Sequence, residues 1–383
     1  MRLRAVILPV MLAALACESC LAGSTLFSWA GSCQLAKCAY SRASYDMATS
    51  GVVYDKSVAA WDGEEAGVGV VETPEVVARK PFTEVVPSWN ATTPAGAYVI
   101  VLAKVRIDGA WTRWYKMELY NVAGKPELKK SFGDGDETIK CPNDTLEIRG
   151  GKRADAVKLR FELRSTDGVT YPTLRFLAVN TNDPDGWQEG MSSVKDAWGK
   201  ELDVPYLCQL SVNGGSVWCS PTSTAMVLGY WSKLLERPEM TVGITEAARA
   251  CKDNRWGGTG HWSFNTAYAG EFEGMRGFVD RFSSISRIEW WIARGVPVIV
   301  SLDYNRLNRR STKDSMGHLM VIRGFTKDGD PVFNDPWARL EKGEQLRKVY
   351  KRADLEYAWL GPEGSYGTVY VIYPESKGLS ICQ

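Results

Sequence analysis

Cys219 is the residue on which chemistry could turn. It sits in GGSVWCSPTSTAMVLGYW, residues 214–231, two positions ahead of Pro221. Proline is well suited to the first turn of a helix, where its missing N–H has no partner to lose. That places Cys219 at a helix N-terminus, where free backbone N–H groups and the positive end of the dipole favour thiolate over thiol. A thiolate nucleophile also needs a base. The chain has only two histidines, and His318, in Met316-Gly317-His318, opens a strand far downstream. A Cys and a His that are distant in sequence and adjacent in space make a thiol hydrolase site. The second ring nitrogen then needs an orienting group, and Asp335 in Asn334-Asp335-Pro336 is the candidate. If Thr326 pairs with Pro331 across the Thr326–Gly329 turn, Asp335 lies opposite Ile322 on the face of His318, and Asn334 points away. Parity selects Asp335, but four residues of flat strand span roughly 13 Å. The sheet must coil, or the register must differ, for the two to touch. Gln209, upstream in the same loop region, could offer a side-chain N–H to an oxyanion alongside the backbone at the helix start.

Other constellations carry less. His261, in GGTGHWSFNTAYAG, is a possible alternative base, but the reading favoured is a rim or loop residue. There is no Gly-x-Ser-x-Gly elbow, no zinc-spaced pair of Cys/His clusters and no phosphate-cradling glycine motif, so neither a metal nor a cofactor is expected. Trp111, Trp114 and Tyr115 could stack a sugar, or could be core. Arg306, Arg309 and Arg310 could attract acidic groups, or could be a solvated loop.

The elements that must position these residues fall into two halves. Residues 24–79 show little periodicity and read as an extended lead-in. Residues 80–185 read as β: Tyr98–Ile107 is rich in Val and Ile, Val157, Leu159, Phe161 and Leu163 alternate with charged residues, and Leu174–Val179 is a further strand. Short strands separated by Gly, Asp and Pro turns suggest an antiparallel sandwich. Thr181–Gly186 reads as a linker. Residues 196–383 then read as an α+β domain. Its expected elements are a helix over Pro221–Leu235 with one stripe of Val227, Leu228, Trp231, Leu234 and Leu235, a helix over Ile285–Arg294, and strands over Val296–Leu302, His318–Phe325 and Pro331–Asn334. The segments Asp253–Gly274 and Asp303–Ser315 are expected as specificity loops.

Composition bounds the rest. With 383 residues, two or three domains are expected; 46 basic and 45 acidic residues give a net charge of +1, without long like-charged runs, so nothing suggests nucleic acid as a partner. Residues 1–23 read as a secretory signal: Arg2 and Arg4, a short apolar run over Ala5–Ala16, then small residues. Cys17 could carry a lipid anchor. Setting aside Cys17, Cys20 and Cys219 leaves Cys33, Cys38, Cys141, Cys208, Cys251 and Cys382, which in an oxidising compartment could form three disulfides in any of 15 connectivities, Cys33–Cys38 being close enough to pair locally.

Taken together, VPYLCQ, WCSPTSTAMVLGYW, GHLMVIRGF and FNDPW resemble the papain-fold cysteine peptidases related to the bacteriocin leader-processing (double-glycine) peptidases, in their exported stand-alone branch. The resemblance covers roughly residues 200–375. It implies Gln209 as oxyanion donor, Cys219 as nucleophile, His318 as base and Asp335 as orienter, on a sheet coiled enough to bring the last two together. The stretch beginning FTEVVPSWNATTPAGAYV resembles the accessory region of some exported members. The expectation is thus an extracellular or periplasmic cysteine peptidase acting on peptides or proteins. Two rivals stay open: an acyltransferase using the same thiol, and a non-catalytic protein whose β domain binds a cell-wall or carbohydrate ligand.

Overall fold

The computed structural model describes residues 23–122, 125–186, 191–311, 316–361 and 364–379. The expected signal with Cys17 and Cys20, and Cys382, lie outside them. The chain builds an all-β sandwich-like unit followed by a papain-like α+β unit, and among the described residues the named strands pair antiparallel.

The first unit closes two sheets, of seven and eight strands, on one core. Ala97–Ile107 and Ala154–Ser165 form the spine of the larger sheet, paired over eleven register positions. Val157, Leu159, Phe161 and Leu163 point inward from the second of these strands and are fully buried, as their alternation predicts. Glu84–Thr92 and Thr173–Asn182 form the spine of the smaller sheet. The stretch read as a loose lead-in is part of both sheets. Ser24–Ala30 pairs with Phe176–Asn182, and Ala39–Ser41, Ala43–Asp46, Gly51–Tyr54 and Gly69–Glu72 are strands. Most of these strands are too short to show a period, and some of their partners lie more than a hundred residues away, so local pattern carries no trace of them.

In the second unit the helix Cys219–Leu235 packs on a six-stranded sheet. In order, the sheet runs Met275–Arg281, Thr368–Pro374, Val298–Asp303, Gly317–Phe325, Pro331–Asn334 and Arg347–Val349. The helix does not bury a single stripe. Nearly every residue from Ser220 to Ser232 is buried, whereas Leu234, expected inside, is 55 % exposed. A helix apolar or small on all sides belongs in the centre of a domain. Its small polar residues bond directly to the sheet: Ser223 Oγ donates to the Leu319 carbonyl at 3.1 Å, and Ser220 Oγ meets the Tyr370 hydroxyl at 2.9 Å. Two of the expected loops contain helices, Trp262–Glu271 and the single turn Tyr304–Leu307 capped by Asp303.

The units are joined by far more than a linker. Asn90 bonds Gly277 in both directions, its Nδ2 donating to the carbonyl at 2.8 Å and its Oδ1 accepting from the N–H at 3.1 Å. Ser88 Oγ accepts from Val279 N, and Ser263 Oγ donates to the Pro87 carbonyl. Phe264 and Ala267 of the second unit complete the core of the first. A Cβ on Gly270 would stand 2.2 Å from the Asn90 amide nitrogen, so the close approach of the units requires glycine there.

None of the six cysteines among the described residues is bridged. The three expected disulfides are therefore not seen. Cys38 and Cys141 lie inside the sandwich core, Cys251 in the core of the second unit, and Cys208 donates to the Ala338 carbonyl at 3.2 Å. Cys33, the near neighbour of Cys38, is exposed while Cys38 faces inward.

Candidate active site

Cys219 is the first residue of its helix, which starts two residues before the expected Pro221. The preceding single turn, Gly215–Val217, is pressed against Gln209. A Cβ on Gly215 would fall 1.7 Å from the Gln209 carbonyl oxygen, so only glycine lets the loop reach the helix here. His318 is the second residue of the strand Gly317–Phe325, opposite Leu302, and is 2 % exposed.

The register of the next ladder brings Asp335 to it. Phe325 faces Pro331 and Gly324 faces Val332, but a bulge at Arg323 shifts the pairing, so that Ile322 faces Phe333 and Val321 faces Asn334. One further step sets Asp335 against Met320, not against Ile322 as a Thr326–Pro331 pairing would have it. Asp335 keeps the face of His318 and stands two residues from it along the strand, roughly 7 Å rather than 13 Å. The distance problem is removed in two one-residue steps: Pro331 pairs with Phe325 instead of Thr326, and the bulge supplies the second step, which restores the face. The bulge rests on Gly324, whose absent Cβ leaves room for the Lys200 carbonyl oxygen, 2.1 Å from where that atom would be.

Asp335 Oδ1 lies 2.8 Å from His318 Nε2. That leaves Nδ1 for the hydrogen bond His318 shares with Cys219. The other side of the carboxylate is fully used. Oδ2 accepts from Lys348 Nζ at 2.6 Å and Tyr304 Oη at 3.2 Å, and Oδ1 also accepts from Trp337 N at 2.9 Å. The Tyr304 ring meets the His318 ring edge-on, centroids 4.8 Å apart.

These contacts set the protonation states. Burial alone would push the Cys219 thiol up, but the hydrogen bond and charge of His318, with backbone N–H groups of Leu319 and Ser220, hold it below its ordinary value. Burial alone would push His318 down, but the bonds to Asp335 and Cys219 raise it to about 9. Burial alone would raise Asp335, and the bond to His318 together with Lys348 keeps it lowered. Opposed shifts of this kind favour a thiolate–imidazolium pair beside an ionised carboxylate.

Gln209 is buried. Its Nε2 donates to the Gly215 carbonyl at 2.8 Å, its backbone N–H donates to Pro336 O, and its Oε1 has no hydrogen-bond partner among the described residues. It is thus anchored to the loops that carry Cys219 and Asp335, and one amide N–H is left for another acceptor. His261 is not a rim residue. It is fully buried as the N-cap of Trp262–Glu271, its Nδ1 accepting from Phe264 N at 3.3 Å, its ring stacked on Phe264 at 3.8 Å. Trp111 and Trp114 are partly exposed and share Lys104 over their faces, whereas Tyr115 is buried. Arg309 pairs with Asp354, and Arg310 bonds Asn305.

Lys348 and Tyr304 were not singled out in the sequence. Lys348 comes from Arg347–Val349, a three-residue edge strand paired with Pro331–Asn334, and Tyr304 from a one-turn helix. Neither element has a pattern long enough to read.

The fold and the Cys219–His318–Asp335 chain together define a papain-like peptidase domain carried on a β-sandwich-like domain. A family model described as the peptidase C39-like family matches residues 201–364, and one described as the peptidase C39 N-terminal domain matches residues 39–182. The peptidase domain of the chain belongs to the C39-like peptidase family. No curated relative matches it. Among solved structures, a chain described as a C39-like peptidase from Bacillus anthracis is 17% identical, covering 45% of this chain and 98% of its own, with a TM-score of 0.34, too low to add to the fold assignment.

Proposed function

We propose that the chain is a cysteine peptidase in which Cys219 is the nucleophile, His318 the general base and acid, Asp335 the orienter of the imidazole, and Gln209 with the Cys219 backbone N–H the oxyanion donors. The observation that carries this reading is the placement of His318 between Asp335, 2.8 Å from its Nε2, and the Cys219 thiol at a helix N-terminus, which His318 holds below its ordinary value. The thiolate attacks the scissile carbonyl carbon. The carbonyl π electrons move to oxygen, where the two N–H groups meet the developing charge. The imidazolium returns its proton to the leaving amine as the C–N bond breaks. Neutral His318 then takes a proton from water, which adds to the thioester, and the thiolate leaves as acid is released. Lys348 and Tyr304 hold Asp335 so that its Oδ1 stays on Nε2.

The test is alkylation of the non-reduced protein by iodoacetamide across pH, with the site located by peptide mass spectrometry. Cys219 should react fastest of the thiols, at pH values below the ~8.5 of a free thiol, and His318→Ala should remove that advantage. Ordinary thiol kinetics at Cys219 would end the proposal. We further propose that residues 1–23 direct export and that Cys17 is a candidate lipid attachment point. Cell fractionation and N-terminal mass analysis would decide both.

A further inference from the structure

A cavity of about 320 Å³ opens at the end of the ladder that carries His318. That is the lower end of the range for pockets that take small ligands, and enough for one long side chain. Leu302, the register partner of His318, lines it, as does Gly317, the residue before His318. Trp262 and Tyr366 of the peptidase unit form further wall. The remaining wall comes from the other unit: Glu84, Thr145 and Glu147 belong to the sandwich.

The sandwich also fixes the peptidase side of the cavity. Asp144 Oδ2 accepts from Trp262 N at 2.7 Å, which sets the start of that helix. Arg281, whose side chain is 3 % exposed, is held by Glu84 at 3.0 Å and lies over the Trp262 ring at 5.7 Å. The wall is therefore preorganised from both sides.

Its charge is unbalanced. Glu84, Glu147 and Asp303 line it against one cation, Arg281. Arg281 is committed to Glu84, and Asp303 Oδ1 caps Asn305 and Arg306. Glu147 stands directly opposite Glu84 on one side, a like-charge pair that disfavours itself, and opposite the exposed Lys140 on the other. Its partner Arg149, 2.9 Å away, is a half-exposed surface residue outside the lining, and such pairs contribute little. A cation entering the cavity would relieve the Glu84–Glu147 repulsion.

We propose that this cavity is a substrate subsite, built jointly by the two units, that takes a lysine or arginine side chain of the peptide next to the bond being cut, with Glu147 as the specificity-determining residue. The inference rests on the peptidase reading above. It gives the sandwich a role in the site: without it the cleft lacks one wall and two of its three carboxylates, Glu84 and Glu147.

The test uses the full chain and matched synthetic hexapeptides in which Lys, Ala or Glu is moved through each position. Binding to the Cys219→Ala protein is measured by calorimetry, and cleavage by the unsubstituted protein by mass spectrometry. Lys peptides should bind about fivefold tighter than their Glu counterparts at one position, the upper scale of a single partly exposed ion pair. Glu147→Gln should erase that preference, and Glu147→Lys should reverse it, while Cys219 alkylation keeps its rate in both. Binding that ignores peptide charge, or a preference unchanged in Glu147→Lys, overturns the subsite. Failure to cleave any peptide, with the charge preference in binding intact, would count against the peptidase reading alone.

Discussion

The two histidines of this chain are both buried and both flanked by carboxylates, yet they are driven in opposite directions. His318 has Asp335 at 2.8 Å in a direct hydrogen bond and is raised to about 9. His261 has Asp144 at 3.9 Å from Nδ1 and Asp253 at 4.0 Å from Nε2, and burial wins: it is lowered. The acids near His261 are occupied elsewhere. Asp253 accepts from Ser131 and Arg255 backbone N–H groups, and Asp144 from Trp262. Glu118, both of whose oxygens lack a hydrogen-bond partner among the described residues, is raised well above its usual range by burial, which favours its neutral form. A gap of about one ångström separates a histidine that can carry a proton through a reaction from one that caps a helix.

The sharpest break in that comparison is substitution of each histidine. His318→Ala should lower kcat/KM by roughly 10²–10⁴, the usual contribution of a positioned acid–base group. Cys219→Ala should abolish turnover. His261→Asn keeps an N-cap acceptor and should leave both turnover and Cys219 alkylation near their starting values. Equal losses in the two histidine variants would mean that the assignment of the base is wrong.

The pH profile comes next. Turnover should fall on the alkaline side near 9, where His318 loses the proton it returns to the leaving amine. Alkylation of Cys219 should not fall there, because it needs only the thiolate. Asp335→Asn should move the alkaline limb of turnover downward and cost activity toward the lower end of the roughly 10²–10⁴ range for acid–base groups. A limb that stays in place would show that Asp335 does not tune His318.

Lys348→Met gives a smaller effect of opposite sign. Lys348 draws on the same carboxylate from its Oδ2 side, at 2.6 Å. Removing that cation leaves the full charge of Asp335 on His318, so the alkaline limb should rise, by no more than about one unit for a partly solvated neighbour. A downward shift would mean that Lys348 acts mainly by holding Asp335 in place.

How much of this was legible follows from the length of each signal. Pro221 marks a helix start, His318 and Asp335 fall in β patterns, and parity selects Asp335 over Asn334. These are short-range rules, and the structure keeps the chosen residues together. The register was not legible, because a bulge at Arg323 depends on the backbone of Lys200 and Glu201 packing against Gly324. Nor was the burial of His261, which needs the sandwich to cover it, or the role of residues 24–79, whose strands are short and whose partners are remote. The cysteine count suggested bridges because counting ignores direction, and Cys38, Cys141 and Cys251 each point into a core.

The smallest effect tests the other half of the comparison. His261 is held neutral in the fold, below the 6.5 of an unperturbed imidazole. Its contribution to stability is fully present above about 6.5 and is lost as pH falls through the lowered value, because the unfolded chain takes up a proton that the folded one resists. The charged groups around it, Asp144, Asp253 and Arg255, are common to wild type and variant. His261→Asn loses the stacking on Phe264, so at neutral pH it should be less stable by roughly 1–3 kcal/mol, the ordinary range for a core change. It also loses the titration, so the gap should narrow on acidification. Urea unfolding of both proteins at about pH 7.5 and about pH 5 measures it. A gap that widens in acid would mean that His261 gains a proton in the fold, and that its carboxylate neighbours, despite their distance, act on it as Asp335 acts on His318.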